Sequence, residues 1–235
     1  MNIVALGGPI YRVPTMPLSM INSFLFLEAD GSVTLVDAGL SSAPKRIVAG
    51  LAELGKHPRD VQRIILTHAH YDHAGGAAQL VADSSAPGVA AHEADAEYLR
   101  QGVNPPGDPK SLTYRVFLRN ASRGFQPVVV SEALEDGHVL DVAGGLQVHH
   151  TPGHTPGHVS LLHPDTGVLI TGDAIFNFGI RIAWPFAAAC TSLPLNRKSA
   201  QVFADLDYRL AAFTHGPEIR DQARERVRAF VSTHS

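Results

Sequence analysis

The run Thr67-His68-Ala69-His70-Tyr71-Asp72-His73-Ala74-Gly75-Gly76 constrains this chain more than any other stretch. It begins as an apolar, β-branched segment, Val61–Thr67, ends, and that segment reads as a buried strand. In extended backbone successive side chains alternate, so His68 and His70 point the same way. If the chain then turns into a helix, Asp72 and His73 fall in its first turn and can face the same pocket. Three imidazoles and a carboxylate this close together form a dense N/O donor set. It suits zinc, iron or manganese rather than calcium, which prefers oxygen alone. The plainer reading is a solvent-exposed histidine cluster with Asp72 as a helix cap.

Three further segments decide between these readings. Thr151-Pro152-Gly153-His154-Thr155-Pro156-Gly157-His158 lies between two strand-like stretches, and its prolines and glycines fix an exposed loop. Thr171-Gly172-Asp173-Ala174 follows another short apolar run, and Phe213-Thr214-His215-Gly216-Pro217 follows the last one. Each places a potential ligand just past a strand end, where open α/β architectures build their sites. Four separated strand ends carrying ligand-type residues are hard to reconcile with accident. By contrast His92, His138, His149, His150 and His163 sit in strands or at helix starts with no matching motif. They read as structural or solvent-facing.

Around these segments the first third is a βα alternation. Ile21–Glu28 and Val33–Asp37 flank Asp30-Gly31 as strand, tight turn and strand. Ser41-Ser42 opens an amphipathic helix that Gly55 ends, and Ala74–Ala82 and Glu93–Arg100 have helical character. Residues 101–126 break the pattern. Asn104-Pro105-Pro106-Gly107-Asp108-Pro109 cannot be regular, a short helical piece at Leu112–Asn120 follows, and the whole reads as an insertion over the site. From Val128 strands dominate (128–131, 138–142, 146–151, 159–163, 168–171), before helix, strand and helix at 196–206, 210–214 and 218–231. Two mixed halves predict two packed sheets with helices outside, in a single domain spanning 1–235.

Composition narrows the partners. At 235 residues, 45% hydrophobic and 17% charged, the chain is long enough for a real core and is not disordered. A net charge of -3 without any Lys/Arg run gives no electrostatic reason to expect nucleic acid or an anionic membrane. The N-terminal apolar stretch has no basic segment before it and stops at Gly7-Gly8-Pro9, so neither an export signal nor a membrane span is expected. The one cysteine, Cys190, allows no intrachain disulfide and fits a cytoplasmic location. Without a paired motif it reads as a packing residue rather than a nucleophile.

Asp37, the His-x-His-x-Asp-His run at 68–73, His154, Asp173 and His215 together resemble the five-part signature of the metallo-β-lactamase superfamily, in order and across most of the chain. The resemblance implies an α+β fold, the four-layer αββα sandwich. It assigns His68, His70 and His154 to one divalent metal and Asp72, His73 and His215 to a second, with Asp173 bridging. The ions are expected to be zinc, with iron or manganese as options. Asp37 would support the ligands from behind, and His158 stays outside the ligand set. Two metals about 3.5–4 Å apart can hold a hydroxide between them near neutral pH, because coordination lowers the pKa of water from about 16 to about 7. Asp72 is then the catalytic residue expected to take or relay a proton.

Departures from the known branches narrow the substrate. The chain resembles glyoxalase II-type thioesterases at 68–73 and 152–155, but only a short tail follows His215 where they carry a glutathione-binding extension. Quorum-signal lactonases place a tyrosine three residues after the bridging aspartate, and this chain has Phe176. The expectation is a metal-dependent hydrolase cleaving an ester, lactone or thioester bond of a small, partly hydrophobic metabolite. Phe176, Phe178 and Trp184, in the apolar loop 176–194, are its expected substrate contacts. No nucleic-acid or membrane partner is expected, and a homodimer is an open option. Two alternatives stay open: a mononuclear iron persulfide dioxygenase of the same fold, and a non-catalytic sensing module.

Overall fold

The computed structural model describes residues 3–110 and 124–233. Among these, β1 (Val4–Gly7), β2 (Ile10–Pro14), β3 (Asn22–Leu27), β4 (Val33–Val36), β5 (Val61–Ile65), β6 (Val89–His92) and β7 (Val130–Leu134) form a seven-stranded sheet in sequence order. Its first strands make an antiparallel meander, and from β4 onward the pairing is parallel. Parallel neighbours need crossovers. These are α1 (Pro44–Glu53), the pair α2 (Tyr71–Ala74) and α3 (Ala77–Asp83), and α4 (Glu93–Gln101). The rest of the described chain contributes β8 (Val139–Leu140), β9 (Leu146–His150), β10 (Val159–His163), β11 (Val168–Ile170), a hairpin of β12 (Phe176–Asn177) and β13 (Ile182–Ala183), α5 (Leu193–Ser199), β14 (Leu210–Ala212) and α6 (Ala223–Thr233). The second sheet runs β14-β11-β10-β9-β8, with β14 parallel to β11.

Strand residues alternate between two apolar environments, which is why the strands read as near-continuous hydrophobic runs. Phe24, Phe26, Val36 and Ile65 face inward onto Val148, Val159, Leu161 and Ile170 of the second sheet. Their neighbours Leu25, Leu35 and Ile64 point outward onto Ile47 and Leu51 of α1, Leu80 of α3 and Leu99 of α4. On the second sheet Leu162, Leu169 and Ala211 pack outward with Phe203 and with Val227 and Val231 of α6. Each such large side chain removed from water stabilises the fold by about 1.5–3 kcal/mol. The result is the expected αββα sandwich. No helix among the described residues is long and apolar enough to cross a membrane.

The expected helix at 74–82 is two helices, α2 and α3, parted at Gly75 and Gly76. The chain there passes so close to the turn after β4 that a Cβ on Gly76 would strike the Ala38 carbonyl oxygen. The helix expected at 196–206 starts earlier, at Leu193, where the Ser192 hydroxyl accepts from the Leu195 amide. It tightens to 3-10 turns after Ser199. Of the expected insertion, residues 111–123 lie outside the described residues, including the expected helical piece at 112–120.

Candidate metal centre

The ligand-type residues sit just past β4, β5, β11 and β14 and in the loop joining β9 to β10, and the sandwich brings them together. His68 Nε2 lies 3.1 Å from His70 Nδ1, which lies 2.9 Å from His154 Nε2. Beside this group His73 Nε2 is 3.3 Å from His215 Nε2. Asp72 Oδ2 is 3.6 Å from His215 Nε2 and 3.9 Å from His73 Nε2. Asp173 stands between the groups, its Oδ2 3.2 Å from both His154 and His215 and its Oδ1 3.3 Å from His73. Within each group the donor atoms lie within 4.8 Å of one another.

Hydrogen bonds on the far side of the rings fix where their protons are. Buried Asp37 accepts from the Thr67 amide at 2.8 Å and from the Thr67 hydroxyl at 2.9 Å. Having donated its proton, that hydroxyl can only accept from His68 Nδ1, 3.0 Å away, which leaves His68 Nε2 with a bare lone pair. His73 Nδ1 donates to Asp37 Oδ2 at 2.9 Å, and His215 Nδ1 donates to the Met20 carbonyl at 2.6 Å. The Nε2 lone pairs of His73 and His215 therefore face each other at 3.3 Å. Two acceptors so placed repel unless positive charge lies between them. This fits bound metal, because ligating histidines are oriented by their second nitrogen in this way. Imidazole nitrogens with carboxylate oxygens suit zinc, iron or manganese.

The local field agrees. Burial, followed by neighbouring rings (His73 first for His68, His154 first for His70), holds both well below the ordinary histidine value, so they stay neutral donors. Burial acts the same way on His73, but the carboxylates of Asp173, Asp37 and Asp72 outweigh it and raise its pKa. His215 is raised against burial mainly by Asp173. Burial opposes ionisation of Asp173, yet His215, His73 and His154 pull it well below the carboxylate range. Carboxylates packed among imidazoles make a negative well in which cations displace protons.

The sequence model of the metallo-beta-lactamase superfamily matches residues 16–230. The chain belongs to that superfamily. It is 33% identical over 219 residues to the Bacillus subtilis protein YobT, covering 90% of this chain and 89% of that one. It is 31% identical over 201 residues to an N-acyl homoserine lactonase of a Bacillus species, covering 80% and 68%. Among solved structures, the family protein TTHA1429 of Thermus thermophilus superposes with TM-score 0.74 at 30% identity, covering 98% of this chain and 80% of that one. The Rm3 metallo-beta-lactamase shares the fold, with TM-score 0.76 at 24% identity over 99% of this chain and 91% of that one.

On this superfamily scaffold the centre opens into a cavity of about 1000 Å³. His70, Asp72, His154, Asp173 and His215 line it, together with Phe176, Phe178 and residues 104–107 of the expected insertion. The Phe176 ring lies 4.6 Å from that of His215. Trp184 is not among the described lining residues. Its indole packs 4.8 Å from the Phe230 ring of α6 and beneath the Arg197 guanidinium, in the outer core of the second sheet. The large ring is shielded better there than at an open mouth.

Some residues that hold the candidate ligands in place were given no such role in the sequence. Asp95, in the first turn of α4, reads as an ordinary solvated acid near a helix start. It is fully buried, and accepts from the Ala69 amide at 2.9 Å, the Thr155 hydroxyl at 2.6 Å and the Gly157 amide at 2.7 Å. It thus ties the 68–73 run to the His154 loop. His158 faces the backbone rather than the donor groups. Its Nε2 accepts from the Asp173 amide at 2.8 Å, and burial pushes its pKa down to about 3. Gly172, at φ 55, passes so close to that ring that a Cβ would collide with it.

Cys190 is buried with Sγ 3.6 Å from His154 Nδ1, and burial, then Asp173 and Asp108, push its thiol up to about 12. A thiol held protonated is no nucleophile. Cys190→Ser, whose hydroxyl can accept the same Nδ1–H, is expected to lower kcat/KM less than about tenfold, a change of about 1.4 kcal/mol. Iodoacetamide should leave the wild type active. Loss of a thousandfold or more in the variant would instead mark the thiol as the attacking group.

Proposed function

We propose that this chain hydrolyses an ester, lactone or thioester bond of a small, partly apolar metabolite with the help of two divalent metal ions. The observation that carries the reading is the pair of imidazole–carboxylate groups sharing Asp173 on the floor of an apolar cavity. His68, His70 and His154 would hold one ion and Asp72, His73 and His215 the other, with Asp173 shared. Bound there, zinc, or iron or manganese in its place, would supply an activated water and a Lewis acid for the carbonyl.

The chain's own residues do the rest. Asp37 keeps the inward nitrogens of His68 and His73 bare, and His158 seats the backbone of Asp173. Asp72 borders the cavity and is partly exposed, so it can take the proton released as water adds to the carbonyl carbon. When the acyl–oxygen or acyl–sulfur bond then breaks, that proton passes to the leaving group. Relatives named as an N-acyl homoserine lactonase, an acyl-coenzyme A thioesterase of Homo sapiens and a hydroxyacylglutathione hydrolase of Haemophilus influenzae support acyl transfer to water. A mononuclear dioxygenase would leave the group of Asp72, His73 and His215 without a task.

Protein purified without chelator is expected to carry about two metal ions per chain. It should lose turnover of aryl esters, lactones and thioesters on chelation and regain it with added metal. Clearly fewer than two ions, or no turnover across the panel by fully loaded protein, would end this reading. Oxygen uptake with glutathione persulfide by iron-loaded protein would replace it with the dioxygenase.

A further inference from the structure

Leu18 and Ser19, in the connection from β2 to β3, both take left-handed backbone at φ 57, and the Leu18 side chain is 91% exposed. A β-carbon disfavours that conformation, and a side chain left in solvent gains no burial to offset it. The surroundings impose it nonetheless. The Ser19 hydroxyl accepts from Arg12, and its carbonyl accepts from the Gly216 amide at 2.7 Å and from Asn22 Nδ2 at 3.2 Å. The next carbonyl, that of Met20, accepts from His215. Backbone strain maintained by so many contacts points to use.

Leu18 lines the mouth of the metal-centre cavity, as do Phe178 at 49% exposure and Phe186 at 69%. Among the described lining residues none is Lys or Arg, and the charged ones are Asp72 and Asp173 on the floor. These described residues thus offer apolar surface, and no cation, to a substrate. We propose that the substrate carries a flexible, uncharged hydrocarbon chain that runs from the scissile carbonyl out over Leu18 and Phe186. Leu18 is then a specificity-determining residue, held in strained backbone for that contact. The inference rests on the hydrolase reading and names its substrate class.

Aryl esters from acetate to decanoate are the test. The kcat/KM is expected to rise about threefold per methylene over the buried part of the chain. Leu18→Gly should cut the decanoate-to-acetate ratio about tenfold while raising Tm by about 1–3 °C, because glycine takes the left-handed conformation freely. Phe186→Ser should cut the ratio without the gain in Tm. A flat profile with acetate hydrolysed would overturn the proposal, as would an unchanged profile in Leu18→Gly. Loss of liposome binding in these variants with the profile intact would overturn it too, assigning the patch to a membrane. Calorimetry with metal-chelating alkyl hydroxamates, acetyl to decanoyl, reads the same chain contact without turnover. Absent hydrolysis then counts against the enzyme reading, while chain-independent hydroxamate binding counts against this inference.

Discussion

Asp173→Ala is expected to leave fewer than two tightly bound metal ions per chain and to lower turnover at least about a thousandfold, or about 4 kcal/mol of barrier. Its two oxygens lie 3.2 Å from His154 and His215 and 3.3 Å from His73, so it reaches both donor groups. Alanine keeps the backbone amide that donates to His158, so the local chain stays seated. What disappears is the anion, and with it the attraction that raises His73 and His215 against their burial. Asp173→Asn separates charge from shape, because the amide can still accept from the Thr214 hydroxyl that now donates to Oδ1 at 2.6 Å. Elemental analysis and the visible spectrum of the cobalt-substituted protein give the readout. Two fully retained metals in the alanine variant would refute the shared role.

Asp37→Asn is expected to weaken metal binding about 10–100-fold and to cost the metal-free fold about 1–3 kcal/mol. The substitution conserves shape, and asparagine tolerates the left-handed φ of 60 at this position, so the effect is one of protons. If the new NH₂ faces His73, the ring proton must move from Nδ1 to Nε2 and cover the lone pair. If it takes the Oδ1 place, it meets the Thr67 amide, donor against donor where that amide now donates at 2.8 Å, and the backbone that carries His68 must shift. Either way the seating of one histidine is disturbed. Metal titration gives the affinity, and nitrogen-15 shifts of the histidine rings identify the tautomer. An affinity equal to wild type would show that Asp37 only fills space.

Much of the proposed centre was legible because each candidate ligand follows a strand end, and strand ends announce themselves through apolar runs and the glycines and prolines beyond them. His68, His70, Asp72, His73, His154, Asp173 and His215 are all of this kind. The residues behind them are not. Asp95 reaches two loops from a helix, and Asn22 donates to the carbonyls of Phe213 and Gly216 from the far end of the sequence. Such partners are chosen by tertiary packing and leave no local periodicity. Aromatic density along 176–194 left the role of Trp184 open, because it says nothing about direction. There the β12–β13 hairpin leaves Phe176 beside His215 while the indole packs against Phe230 of α6.

Each donor group draws two members from the connection after β5 of the first sheet and one from the second sheet: His68 and His70 with His154, Asp72 and His73 with His215. Each therefore straddles the seam between the sheets, and the bite of each set is gauged by the thickness of what fills that seam. Phe24, Phe26, Ile65 and Ile170 are the spacers. Thinning them is expected to change the distances between the donor atoms of each group. The calibre of the centre is thus written in apolar side chains that never see a metal.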